Sequence, residues 1–231
     1  MEDLRKSHNN VKRNLIQKVV GSSKHHVHVL DVGCGFGGDL HKWFSLKVPL
    51  SLDMCDPDAE SLKEAEKRIH NLKLNNKNIN IFLGDIFSCP KKKYDFICYN
   101  FSLHYIFENG GLFFKSLNEI KKRLKPNGKL FGCMPDSEQI LLQTPFSDDF
   151  GNYASRNTET TGFGSFGEKL YVFLANTPFY NNGPRPEPIP YKDLLITYLE
   201  QKGIKLSHWK SLETGWKLSK LYSEFIFVNI Y

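Results

Sequence analysis

Three features that would restrict the function are missing from this sequence of 231 residues. No apolar run approaches the roughly 20 residues that cross a bilayer, which excludes a transmembrane protein. The polar N-terminus, Met1 to Lys6, lacks the apolar core of a secretory signal, so we expect no secretion. The five cysteines form no CxxC pair and no metal-ligand spacing. We therefore expect reduced thiols in an intracellular protein that holds no metal.

A strong charge of either sign is also missing. The 31 basic and 25 acidic residues give a formal charge of +6, which is compatible with an anionic ligand but also with a solvated, lysine-rich surface. A chain of this length can bury a core without disulfides. We expect one domain, made of an N-terminal helical segment (1–26), a ligand-binding core (27–135) and an insertion with closing strands (136–231).

Short β-branched runs alternate with amphipathic segments along the first half of the chain. The alternation and the short links predict a Rossmann-like, doubly wound, mostly parallel α/β sheet. The predicted strands are 27–32, 48–55, 79–83, 94–100 and 129–134. The predicted helices are 1–22, one that begins at 39–44, 58–73, 112–124 and 191–202.

The pattern changes after Pro135. Residues 145–167 have no helical period, 170–174 has the pattern of a strand, and 225–231 has that of a closing strand. The segment 181–190 is rich in proline, which excludes a helix or an inner strand.

A glycine-rich loop follows the first predicted strand. Gly33, Gly35 and Gly38 fit GxGxxG, which lets a strand turn sharply into a helix and lets a ligand approach the backbone. Alone this pattern is weak evidence, since dinucleotide-binding enzymes share it. Asp56 ends the next strand, where a carboxylate can accept both ribose hydroxyls, and Asp85 ends the third. Either acid alone has the character of a turn or cap residue, but together with the loop they predict a nucleoside site.

These segments resemble known families. The loop, which reads Asp31-Val-Gly-Cys-Gly, and the two strand-end acids resemble the class I S-adenosylmethionine (SAM) methyltransferases. Asn100-Phe-Ser-Leu-His-Tyr-Ile-Phe-Glu108 follows the fourth strand and resembles the mRNA cap guanine-N7 methyltransferases. Further similar segments occur in the same order over about residues 8–230: 8–16, 31–43, 56–68, 132–137, 166–173, 186–187 and 222–227.

The resemblance implies a cofactor, SAM, with S-adenosylhomocysteine as its product, and a set of residues for it. That set is Lys12 at the SAM carboxylate, Asp39 at its ammonium, Asp56 at the ribose, Asp85 at the adenine, and Gly33, Asn100 and Tyr105 at the methionine part. For the cap it implies Lys42 and Arg68 at the triphosphate, His104 and Tyr222 at the guanine, Glu187 at the guanine N1–H and amine, and Asn9 nearby.

The expected chemistry needs no acid or base. Guanine N7 carries a lone pair and no proton, so positioning by His104, Tyr105 and Glu187 is expected to suffice. One departure from the family is Phe36, which stands where a lysine is usual and so removes or replaces a cap-phosphate contact.

Two other interpretations stay open. Another class I methyltransferase, acting on a small molecule or protein, would need Gly33, Asp56 and Asp85 but not Arg68, Glu187 or Tyr222. A catalytically silent SAM-binding scaffold subunit is the second.

The expected partners are the capped 5′ end of RNA and other modules or subunits of a capping enzyme, with no membrane. Family members also occur as the C-terminal module of larger enzymes. Since the first similar segment begins about eight residues in, we expect no regulatory arm between Met1 and that segment. Compact loops favour a viral-type enzyme working in the cytoplasm, whereas a cellular enzyme would be nuclear.

Overall fold

The structure is a computed structural model that describes residues 4–75, 77–156, 166–175 and 183–231. Parts of two sequence predictions, 157–165 in the segment without helical period and 181–182 in the proline-rich segment, lie outside these residues. Among the helices in the described ranges, none has both the length and the apolar character to cross a membrane.

The helices and strands of the described residues follow the predicted alternation. The helices are α1 (Leu4–Val20), α2 (Leu40–Phe44), α3 (Ala59–Asn71), α4 (Gly110–Arg123), α5 (Ser137–Gln143) and α6 (Lys192–Gln201). The strands are β1 (Val27–Val32), β2 (Leu50–Asp56), β3 (Ile79–Leu83), β4 (Tyr94–Asn100), β5 (Leu124–Pro135), β6 (Phe146–Ser147), β7 (Tyr153–Arg156), β8 (Lys169–Phe173), β9 (Arg185–Pro188), β10 (Ile204–Ser211) and β11 (Tyr222–Asn229).

Seven strands of the described chain form the central sheet, in the order β10-β11-β5-β4-β1-β2-β3. The five strands from β5 to β3 are parallel, whereas β11 runs antiparallel to both of its neighbours. The predicted doubly wound, mostly parallel sheet is confirmed. The strand order reverses between β1 and β4, and in this fold the crevice at the carboxyl ends of such strands is where ligands bind.

Helices cover both faces of this sheet, which explains why its inner strands are apolar on both sides. On one face α1 contributes Leu15 and Ile16 to a buried cluster. On the other face α4 contributes Phe113, and α6 contributes Leu195 and Leu199. Burying each of these side chains stabilises the fold by about 1.5–3 kcal/mol.

A second, antiparallel sheet has the order β6-β7-β8-β9. Its edge strand β9 lies against the 3₁₀ turn Leu103–Glu108 that follows β4. The proline-rich segment predicted as a loop therefore contains an edge strand, and Pro186 and Pro188 fit there because an edge needs fewer ladder donors.

The sequence analysis missed α5, β6, β7 and β10, and it placed the closing strand three residues late. The missed elements are short or lie outside the parallel core, where few residues are apolar on both faces. Strand β10 is at the edge of the central sheet and has only one fully buried position, Ile204.

Candidate active site

The glycine loop between β1 and α2 turns through left-handed backbone conformations. Gly33, Gly35 and Gly37 have φ of 74°, 50° and 67°. A Cβ on Gly37 would lie 3.1 Å from the Cβ of Ala65 on α3, whereas a Cβ on Gly38 would meet no atom closer than 3.9 Å. Of these two adjacent glycines, the close-packed one is therefore Gly37, not the Gly38 that completes the sequence pattern.

Asp56 at the end of β2 braces this loop. Its Oδ2 accepts the N–H of Gly35 at 2.8 Å, and its Oδ1 accepts the N–H of Asp58 at 2.9 Å. Each carboxylate oxygen keeps a second lone pair, so Asp56 can still accept a ligand hydroxyl. Its role at a ribose stays a prediction.

Asp85 at the end of β3 is exposed and caps the 3₁₀ turn that begins at Ile86. Its Oδ1 accepts the N–H of Phe87 at 2.9 Å. The structure thus gives Asp85 a capping role, and its expected contact with adenine stays a prediction.

A buried charge cluster is centred on Asp39, the residue before α2. Lys12 Nζ on α1 and Lys42 Nζ both lie 2.7 Å from Asp39 Oδ1, and Asn100 Nδ2 donates to Asp39 Oδ2 at 2.8 Å. Burial alone would raise the pKa of Asp39, but Lys12 and Lys42 lower it to about 2. Asp39 is therefore a fixed negative charge, as expected for a residue that faces an ammonium group.

Lys42 points inward. It is 4% exposed, and its Nζ also donates to Asn9 Oδ1 and to the Gly38 carbonyl, each at 2.9 Å. Burial lowers the pKa of Lys42. The structure thus joins Lys42 and Asn9 to the Asp39 cluster, although the resemblance implies that both contact the cap; that contact stays a prediction.

A second buried carboxyl group lies beneath this cluster. Asp31 Oδ2 accepts the indole N–H of Trp43 at 3.0 Å. Burial and the neighbouring Asp39 raise the pKa of Asp31 to about 7. The sequence analysis used Asp31 only as part of the glycine-loop pattern; an acid inside a β-branched run was the signal that its side chain is buried.

His104 and Glu187 come together on the other side of the β4 end. His104 Nε2 lies 3.7 Å from Glu187 Oε2, and both residues are buried. Burial lowers the pKa of His104 to about 3, so its ring is neutral at physiological pH. The ring centroid of Tyr105 lies 4.2 Å from that of His104, and Tyr105 is 43% exposed. The pair therefore combines a buried polar ring with an accessible one.

Three buried polar atoms at this strand end have no hydrogen-bond partner among the described residues. They are Asn100 Oδ1 and both ring nitrogens of His104. Leaving a buried polar atom unpaired costs about 1–3 kcal/mol, which a bound ligand can recover by pairing with it. These atoms mark the carboxyl end of β4 as a ligand site.

An aromatic group forms the wall between α1 and the end of β4. The ring centroid of Phe101 lies 5.3 Å from that of His8 and 5.5 Å from that of Tyr222, the first residue of β11. Phe101 has φ of 60°, an uncommon conformation for a residue with a side chain. The sequence analysis found Tyr222 but missed His8 and Phe101, whose roles depend on contacts between distant segments.

Arg68 lies beside the glycine loop, and Phe36 is part of it. Arg68 Nη1 lies 3.9 Å from the position of a Cβ on Gly38, and its guanidinium makes no ion pair within the part of the chain that the structure describes. Phe36 is 45% exposed. Arg68 is half-buried and Phe36 is exposed. Their roles at cap phosphates stay predictions.

The fold is that of class I SAM-dependent methyltransferases. A SAM-dependent methyltransferase from Clostridium acetobutylicum matches with a TM-score of 0.61 at 14% identity, over 99% of this chain and 92% of the other. A Burkholderia thailandensis 1,6-didemethyltoxoflavin-N1-methyltransferase, solved with S-adenosylhomocysteine, matches with a TM-score of 0.62 at 12% identity, over 97% of this chain and 79% of the other. At such identities these likenesses establish the fold alone.

Within this class, the chain belongs to the mRNA (guanine-N(7))-methyltransferase domain family, whose family model matches residues 1–177. It is 31% identical over 201 residues to an mRNA cap guanine-N(7) methyltransferase of Cryptococcus neoformans, covering 79% of this chain and 28% of that protein. It is 32% identical over 208 residues to that of Saccharomyces cerevisiae, covering 85% and 44%. The chain thus spans less than half the length of these relatives.

Proposed function

We propose that this chain transfers a methyl group from SAM to N7 of the guanine in a 5′-5′ triphosphate RNA cap. The observation that carries the proposal is the pair of adjoining polar sites at the end of β4. One is the Asp39 cluster, and the other is the buried His104–Glu187 pair, with unpaired atoms in each. Family membership supports the same reaction.

The Asp39 cluster fits the zwitterionic end of SAM. The Asp39 carboxylate and the unpaired Asn100 Oδ1 accept hydrogen bonds from an ammonium group, and Lys12 supplies a positive charge for a carboxylate. When bound, SAM supplies an activated methyl group on its sulfonium. Lys12 Nζ and Asp39 Oδ1 lie 2.7 Å apart and form an ion pair. If this pair opens, the carboxylate of SAM can replace Asp39 as the partner of Lys12, and the ammonium of SAM can replace Lys12 as the partner of Asp39.

The His104–Glu187 pair fits guanine. Glu187 is 6% exposed and can accept from the N1–H and the exocyclic amine, a pattern that adenine does not offer. His104 is neutral, and its ring nitrogens have no hydrogen-bond partner among the described residues, so it can donate to or accept from the purine edge. Tyr105 and Tyr222 supply rings for stacking. A capped RNA end is therefore the substrate we propose.

The side chains do not need to move a proton. N7 attacks through a lone pair, and burial keeps the pKa of His104 at about 3, too low for a base near neutral pH. The residues act by holding the purine in line with the methyl group and by excluding water. We therefore propose His104, Tyr105 and Glu187 as positioning groups.

A comparison of guanosine and inosine caps tests this assignment. Inosine lacks the exocyclic amine, so the chain should methylate an inosine cap with a higher KM, and Glu187→Gln should reduce that difference. Losing one hydrogen bond to a charged group costs about 1.5–3 kcal/mol, or roughly 10- to 100-fold in kcat/KM. Glu168→Gln is a matched control, because Glu168 is equally buried but bonds to Tyr191. Equal rates on both caps would contradict the role of Glu187.

The partners and the compartment are part of the proposal. Other modules or subunits of a capping enzyme are the expected protein partners. The relatives compared come from cellular organisms, Cryptococcus neoformans and Saccharomyces cerevisiae, which favours the nucleus. A viral origin, with work in the cytoplasm, stays a prediction that these relatives do not support.

A further inference from the structure

A cluster of cations lies at the amino ends of the central strands, whereas the candidate active site lies at their carboxyl ends. The segment before β4 and the end of α4, which leads into β5, enclose a cavity of about 200 Å³. We call this cavity the basic cleft. Its lining is Lys91, Lys92, Lys93, Glu119, Lys122 and Arg123, five cations and one acid.

The one lining acid does not neutralise the basic cleft. Glu119 Oε1 lies 2.8 Å from Arg123 Nε, and its Oε2 lies 3.8 Å from Lys122 Nζ. A single carboxylate therefore serves two cations, and the net charge of the lining is strongly positive.

The three consecutive lysines add to this excess. Lys92 Nζ pairs with the buried Asp53 at 2.8 Å, but Lys91 and Lys93 have no carboxylate partner within the described ranges. Burial lowers the pKa of the neighbouring Lys121, and the charge of Lys93 lowers it further. The field at this edge thus favours an anion.

Arg123 provides a second observation that favours an anion in the basic cleft. It is 2% exposed, and its Nη1 donates to the carbonyls of Cys89 at 3.0 Å and Pro90 at 2.6 Å. Its Nη2 is buried and has no acceptor among the residues that the structure describes. A buried charged donor without an acceptor is costly, so an anionic oxygen in the cleft would stabilise it.

The size and chemistry of the basic cleft suit one phosphate group. Pockets for small organic ligands have volumes of about 300 Å³ or more, so this cavity is too small for a nucleotide. Lysine ammonium groups and a planar guanidinium are the side chains that bind phosphate oxygens. A polyanionic chain can place one such group in the cleft while its bases stay outside.

We propose that the basic cleft binds a backbone phosphate of the RNA chain downstream of the cap. That the bound polyanion is RNA rests on the proposed function, the methylation of an RNA cap. Strand β4 has seven residues, so the cleft and the candidate active site are separated by about 20 Å. A stacked strand that advances about 3.4 Å per nucleotide needs about six nucleotides to cover that distance. The cleft therefore contacts long RNA and not a cap dinucleotide.

The test uses a double variant that carries Lys91→Glu and Lys93→Glu, and compares it with the wild-type protein. The affinity of each protein is measured for two ligands, the dinucleotide GpppG and a capped RNA of about 20 nucleotides. The control is Lys205→Glu with Lys210→Glu, which makes the same charge change at exposed positions of β10. Inorganic phosphate, titrated as a competitor, separates a free-anion site from an RNA site. Methylation of GpppG is measured in parallel.

We expect the cleft variant to bind the long RNA about 10-fold more weakly, with a log–log salt slope reduced by about 0.7 for each lost contact. GpppG methylation should not change, and the control should lose much less RNA affinity. Equal losses in both variants, or RNA affinity unchanged in the cleft variant, would overturn the proposal. So would competition by phosphate without any dependence on RNA length. If wild-type protein leaves GpppG unmethylated, the proposed function fails, while the binding comparison still decides the cleft.

Discussion

At the scale of single residues, the pKa values of the neighbouring carboxyl groups of Asp31 and Asp39 are shifted in opposite directions. Both are buried, but Asp39 is held by two lysines, whereas Asp31 accepts an indole N–H from Trp43. The pKa of Asp39 is about 2 and that of Asp31 is about 7. Asp39 thus carries the charge needed at the ligand site, and Asp31 is stable there mainly when protonated.

Replacing Asp31 by asparagine should stabilise the protein at alkaline pH. The folded pKa of Asp31 is about 7 and its ordinary value is 3.8, so its contribution is full below pH 3.8 and is lost as pH rises through 7. Asparagine stays neutral and can still accept from Trp43. Urea unfolding should give Asp31→Asn an advantage on the order of 4 kcal/mol at about pH 8 and of only about 1 kcal/mol at about pH 4.5. The same difference at both pH values would contradict the account.

A substitution of Asp56 tests whether this residue contributes to SAM binding. Asp56→Asn removes the charge and one acceptor, so calorimetry should give a SAM affinity lower by about 1–3 kcal/mol. Asp58→Asn is the control, because Asp58 is exposed two residues further on and caps α3. An unchanged affinity in Asp56→Asn would mean that Asp56 only braces the glycine loop.

At the scale of elements, the sequence predicts best where a strand is covered on both faces. The bounds of β1, β3 and β4 agree with their predicted bounds because apolar runs there end at glycine, aspartate or asparagine. Strand β10 and helix α5 were missed because an edge strand and a helix of seven residues need few buried positions. The inward position of Lys42 was also missed, since it depends on Asn9 of α1, which packs against α2 only in the folded chain.

The glycine loop offers a test in adjacent residues. Alanine at position 37 would need a left-handed backbone and would place its Cβ 2.8 Å from Leu40 Cδ1. Gly37→Ala should therefore lower the free energy of unfolding by about 1–3 kcal/mol, whereas Gly38→Ala should change it by less than about 0.5 kcal/mol. A larger loss in Gly38→Ala would mean that the packing glycine has been assigned wrongly.

Phe36 tests whether cap phosphates lie over the same loop. Phe36→Lys should tighten GpppG binding and steepen its log–log salt slope by about 0.7–0.9, with SAM affinity little changed. Phe36→Met, which adds no charge, is the control. If SAM affinity collapses and cap binding does not move, Phe36 belongs to the cofactor pocket.

At the scale of the whole molecule, the sequence was sufficient for the fold class and the family but not for the contacts within the site. Residues that end adjacent parallel strands can be placed from the sequence, since those ends share one edge of the sheet. The approach of Glu187 to His104 requires the second sheet, in which only β8 has the pattern of a strand in the sequence and the other three strands have two to four residues. The family resemblance implies that both residues contact the guanine, but their separation of 3.7 Å comes only from the structure.

The most direct test of the central claim is the position of the transferred methyl group. Purified protein is incubated with GpppG and SAM that carries a labelled methyl group, and the product nucleosides are separated after digestion. The account predicts 7-methylguanosine as the labelled nucleoside. A protein that binds SAM in an Asp56-dependent way but labels another position, or leaves guanosine unlabelled, would contradict it.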